Sequence, residues 1–178
     1  MSAENVDQRR SDDINPMLRT AQQYHFQLSV MADQKANIII AATSILFTIS
    51  LTNFSMEEML WGFVCLATFS LIALIYAILA VYPSYEAKKD RQFIFDSINP
   101  LFFGHFTQFT LDEYYDIMEK MFDSSQSIYR AQLKNLYQLG QILKNRKYKF
   151  LKYSYRFFFV GLILSVILFA LQLFQLIT

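Results

Sequence analysis

Cysteine, histidine, tryptophan, glycine and proline are all scarce: of 178 residues, one is Cys, two are His, one is Trp, four are Gly and three are Pro. A lone Cys65 excludes a disulfide framework within the chain and any multi-cysteine metal site. His25 and His105 have no neighbour at ligand spacing, and no HExxH, CxxC, GxGxxG or GxxxxGK[ST] pattern is present. The chain therefore lacks recognisable catalytic machinery and is not expected to be an enzyme, nor to hold a metal or resident cofactor. The acidic neighbours Asp112 and Glu113 read as first-turn helix charges rather than as a general acid and base. Few Gly and Pro also mean few helix breakers, which points to one helical unit.

Charge is missing from three long stretches, Ala36–Met56 (21 residues), Met59–Tyr85 (27) and Phe157–Thr178 (22). Each can cross a hydrocarbon core of ~30 Å, which takes about 20 helical residues. The fold class read from this is an all-α integral membrane protein with three transmembrane helices and a helical cytoplasmic body. A cleavable signal peptide is not expected, because the first 35 residues are polar or amphipathic. All 16 Lys and Arg fall in two segments, four before the first span and twelve between Lys88 and Arg156. The connector between spans one and two holds only Glu57 and Glu58, and no charge follows span three. The positive-inside rule then puts both basic segments in the cytoplasm, with the N-terminus inside and the C-terminus outside.

Residues 1–14 read as a mobile polar tail. Asn15 and Pro16 read as a helix start, with Asn as N-cap and Pro at the first helical position. Residues 15–82 form an amphipathic lead-in and a transmembrane hairpin, with spans at about 36–54 and 59–82. Pro83 ends the second span or lies just after it. The cytoplasmic helical region covers 83–156. Its phenylalanines, Phe93, Phe95, Phe102, Phe103, Phe106 and Phe109, either pack under the following helices or lie on the membrane surface. Thr110 with Glu113 is a capping box for a helix to about Phe122, and Asp123, Ser124 and Ser125 offer a second cap. From about Gln126 a single long helix, last in the chain, runs into the third span at 157–178, with Gly140 as the place where a bend is expected.

Polar residues within spans need partners. Asn37, Ala41, Ser44 and Thr48 share one face of span one, and Gly161, Ser165, Gln172 and Gln175 share one of span three. Packing within one subunit and a subunit interface, or a polar path lined on assembly, are both open readings. The basic run Lys144, Arg146, Lys147, Lys149, Lys152 and Arg156 reads as snorkelling to anionic headgroups, and nucleic acid is not expected as a partner. At the mouth of span one, Asp33 and Lys35 call for fixed partners.

ADQKA before a span, YPS after the second, then LFF, TLDEYY and IYRAQLKNLYQLGQILKNRKYKFLKYSYR before a final span together resemble the Pycsar transmembrane effector family of bacterial anti-phage defence. The likeness covers about residues 22–175, with Asp33 and Lys35 in its first motif. The resemblance implies an abortive-infection effector of the bacterial inner membrane, linked to a nucleotide cyclase. A cyclic pyrimidine mononucleotide, cCMP or cUMP, would activate it to impair the membrane as a homo-oligomer. A nucleotide bound here would use the cytoplasmic body: Arg130, Lys134 and Tyr137 lie near one helix face, and Lys88, Lys89 and Arg91 could approach from another side. Cations suit a phosphate and an aromatic ring suits a base. The alternative is a membrane anchor or scaffold that recruits a soluble partner.

Overall fold

Six α-helices account for nearly all of the chain that the computed structural model describes, residues 3–83 and 99–177, and no strand occurs among them. They are α1 (Ala3–Thr52), α2 (Leu60–Val81), α3 (Phe103–Phe106), α4 (Leu111–Phe122), α5 (Ser125–Ile142) and α6 (Lys149–Ile177). Three helices are long and apolar enough to cross a membrane, within Asp13–Thr52, Glu57–Val81 and Ser125–Gln175. The protein is thus an all-α membrane protein.

α1 does not begin at Asn15. Pro16 lies inside it, and the helix is continuous from Ala3. A mid-helix proline removes one hydrogen bond and crowds the preceding turn, at about 3 kcal/mol. Residues 3–15 contain no glycine or further proline, so nothing else in them breaks a helix ahead of such a defect. At the other end of the hairpin, proline acts as expected. α2 stops at Val81, and Tyr82 turns extended (φ −60°, ψ 123°), the backbone that a following proline favours. Between α1 and α2, Met56 leads into a 3-10 turn over Glu57–Met59.

The last long helix is interrupted, though not at Gly140. Between α5 and α6 the backbone takes a π-helical turn, Leu143–Tyr148, which keeps the run helical while shifting its register. Gly140 itself lies within α5, and a Cβ there would meet His25 only at ordinary contact distance, 3.6 Å.

Contacts divide the chain into two units. One comprises Leu28–Tyr82 and Leu143–Thr178 and holds the apolar parts of α1, α2 and α6. Most of its buried positions are small residues at helical spacing, Gly62, Ser70, Ala73, Ala77 and Ala80 on α2, Ala32, Ala36, Thr43 and Ser50 on α1, Ser154 and Ser165 on α6, with Ile39, Leu66 and Leu151 buried among them. Helices in lipid gain little from hiding apolar surface from water, so they associate by close approach, which small side chains permit. α2 and α6 run antiparallel. The Gly62 backbone abuts Phe169 and Gly161 abuts Phe69, so that a Cβ at either glycine would overlap the facing ring. Tyr76 stacks on Phe157 at 5.4 Å, and the Ser154 hydroxyl donates to the Ala73 carbonyl at 2.7 Å. Ala32 and Ala36 of α1, Ala80 of α2 and Leu151 of α6 close the bundle at its other end.

The second unit comprises Met1–Gln27 and Pro83–Ile142. α4 opens on the capping box expected of it. Thr110 Oγ1 accepts from the Glu113 N–H at 3.3 Å, and the Glu113 carboxylate accepts from the Thr110 N–H at 2.8 Å. Ser124 caps α5, its hydroxyl accepting from the Ser127 N–H at 3.2 Å. Phe106 packs between Phe103 and Tyr114, while Phe93 and Phe95 lie outside the described residues.

Candidate functional site

Three groups of polar side chains stand out, two in the apolar unit and one in the other. The first is at the mouth of span one. Lys147, in the π-helical turn, places its ammonium 2.6 Å from both carboxylate oxygens of Asp33 and 2.8 Å from the Ser29 hydroxyl. Tyr148, the next residue, donates its hydroxyl to the Leu28 carbonyl at 3.2 Å. Asp33 thus has the fixed partner its position calls for, and that partner comes out of the basic run. Lys147 is a bound cation rather than one reaching for headgroups; Lys144, Lys149, Lys152 and Arg156 are exposed. Lys35 is exposed too, with no ion-pair partner among the described residues. The π turn is what brings Lys147 round, because it shifts by part of a turn the direction in which that side chain leaves the helix.

The second group is the polar positions of the spans, which split in two. Ser165 is buried, and Gln172 offers its side-chain oxygen to the backbone N–H of Gly62 at 3.1 Å, satisfying a first-turn donor of α2. Both therefore serve packing inside one chain. The Ser165 hydroxyl finds no hydrogen-bond partner among the described residues. In span one the arrangement is reversed. Asn37, Ala41 and Thr48 face outward and Ser44 is half-buried, while the helix packs through Ala36, Ile39, Thr43 and Ser50. Thr43 and Ser50 donate back to the carbonyls of Ile39 and Leu46, both at 2.7 Å, so their hydroxyls ask nothing of neighbouring helices. Gln175 at the end of span three is exposed.

The third group lies around α5 in the other unit. Asn99 is wholly buried and uses every polar atom of its side chain: its amide donates to the Gln138 side-chain oxygen at 2.7 Å, and its oxygen accepts from the Leu101 N–H at 3.1 Å. Its backbone N–H donates to Nδ1 of His105 at 3.2 Å, so that nitrogen carries no proton. Burial, and secondarily the Lys134 ammonium, hold the His105 imidazole below its ordinary pKa. The tie of Asn99 to Gln138, 39 residues on, was not legible in the sequence. Arg130 and Tyr137 are exposed on α5 and Lys134 is half-buried beside them. Lys88, Lys89 and Arg91 lie outside the described residues.

One chain offers three spans, a paired charge at a membrane mouth and an outward polar strip on span one, and among the described residues no cluster able to hold a metal ion. No curated protein and no solved structure matches the chain. One family does, over nearly the whole length: the family described as the Pycsar effector protein domain matches residues 16–174, and the chain belongs to it.

Proposed function

We propose that this protein is a membrane effector of abortive infection that impairs the bacterial inner membrane, as a homo-oligomer, when a cyclic pyrimidine mononucleotide such as cCMP or cUMP reaches it from a nucleotide cyclase. The observation that carries the reading is the family match over residues 16–174, which covers both the spans and the polar region between the second and third. Charge placement supports an orientation with the N-terminus and the polar unit in the cytoplasm, where the nucleotide would be made, and the C-terminus in the periplasm. A phosphate would be met by Arg130 and Lys134, and a base by the exposed ring of Tyr137.

Three spans are too few to enclose a wide polar path, so damage requires several copies. Span one is suited to meet them: Asn37 faces away from the chain's own bundle, where hydrocarbon gives its amide no partner, while Thr48 on the same face donates to the Ser44 carbonyl at 2.9 Å. The test is membrane potential in cells expressing the protein, with a panel of cyclic mononucleotides and dinucleotides supplied one at a time. Depolarisation with a single cyclic pyrimidine nucleotide is expected. No depolarisation with any of them would overturn the reading.

A further inference from the structure

α4 and α5 each turn an apolar stripe outward, and the charges beside the two stripes are of opposite sign. On α4, Leu111, Tyr115 and Phe122 are 60–65% exposed and recur at i, i+4 and i+11, along one line of the helix. Asp112, Asp116 and Glu119 are exposed beside them. From Leu111 to Asp123 the chain carries five acids against one Lys. On α5, Leu133 and Tyr137 are 51% and 68% exposed, and Arg130 is exposed on the same face. From Ser124 to the last residue there is no Asp or Glu at all.

Apolar stripes of this kind are covered by partners. A cytoplasmic leaflet is the wrong cover for α4, because its anionic headgroups attract cations and repel an acidic helix. A second copy of this chain supplies what α4 needs: large apolar side chains flanked by a guanidinium. We propose that α4 of one copy docks on α5 of another, with Tyr115 and Phe122 against Leu133 and Tyr137, and with Asp116 and Glu119 facing Arg130. Opposite charges beside a shared apolar seam both attract the right surface and discourage α4 from meeting α4. The contact gives the oligomer of the proposed function a defined surface, and it rests on that reading only in requiring that copies share a membrane.

The test uses two differently tagged full-length chains, each with Cys65→Ala, one carrying Tyr115→Cys and the other Leu133→Cys, co-expressed in membranes and oxidised without nucleotide. A disulfide between the two tags is expected, about tenfold stronger than any self-crosslink of either chain, because the surfaces that meet are unlike. Asp116→Lys with Glu119→Lys in the first chain should lower it about tenfold, and Arg130→Glu in the second should restore it. None of these side chains is buried, and the restored pair shows directly that the reversed chains fold. Self-crosslinks as strong as the mixed one, no mixed crosslink, or loss without rescue would each overturn the proposal. A phosphate contact at Arg130 would not produce charge-swap rescue, and since no permeability is read, failure of nucleotide gating would leave this result standing.

Discussion

Two buried serines on α6 illustrate how differently one hydroxyl can act. Ser154 donates across to α2, whereas Ser165 is equally buried and has no partner among the described residues. Removing a made hydrogen bond costs about 1 kcal/mol, while removing an unsatisfied polar atom costs little or nothing. Ser154→Ala is therefore expected to lower the unfolding midpoint in detergent, and Ser165→Ala to leave it unchanged or raise it. In the other unit, the protonation state of His105 bears on stability. Its imidazole is held below the ordinary histidine pKa of 6.5 by burial and secondarily by Lys134. The folded state favours the neutral ring, so the stabilisation is whole above pH 6.5 and is lost as pH falls through the depressed value. Amide protection across Asn99–Phe109, with the base-catalysed intrinsic exchange rate divided out, should fall as pH drops below 6.5, and His105→Asn should flatten that dependence.

At the scale of the element, α4 is the clearest case of a helix set by its first four residues. Thr110→Ala removes the acceptor for the Glu113 N–H and should weaken α4 by about 1 kcal/mol, seen as faster exchange in its first turn. Glu113 is held below its ordinary pKa by the Thr110 N–H and then by its hydroxyl, so the cap persists above the usual carboxyl pKa of about 4.3 and is lost as pH falls through the lowered one. α2 and α6 are set by their glycines instead. Gly161→Leu would drive a side chain into the facing Phe69. It should cost 1–3 kcal/mol or more by overpacking, read as a lower yield of folded protein in detergent and a lower midpoint. The π turn Leu143–Tyr148 shows what element-level reading could not supply. Its sequence, LKNRKY, has neither Pro nor Gly, and the register shift is bound up with Lys147 reaching Asp33 on another helix.

At the scale of the molecule, the proposed function assigns action to the outward face of span one and folding to its inward face. Asn37, Ser44 and Thr48 contribute little to the chain's own bundle, which packs through Ala36, Ile39, Thr43 and Ser50. Replacing all three by Leu should leave the helical fold and membrane insertion intact, because Leu on a lipid-facing surface is well tolerated. Nucleotide-triggered depolarisation should be lost in the same variant, measured in the cells used for the wild type. Retention of depolarisation would remove this face from the mechanism.

Span number, the all-α class, the stop before Pro83 and the cap at Thr110 were determined by the sequence alone. Each follows from local causes: uninterrupted apolar length, the absence of breakers, the backbone that proline forbids and a three-residue side-chain reach. Which face of span one turns inward was not legible. Both faces carry small and hydroxyl side chains, and Thr43 and Ser50 satisfy themselves within the helix, so polarity does not distinguish inside from outside. Nor could periodicity show that Asp33 meets Lys147, that Asn99 is buried against Gln138, or that Gln172 serves the first turn of α2. Those pairs are 114, 39 and 110 residues apart. Only packing of the helices chooses among the partners that each polar group could take, and so only the tertiary structure decided them.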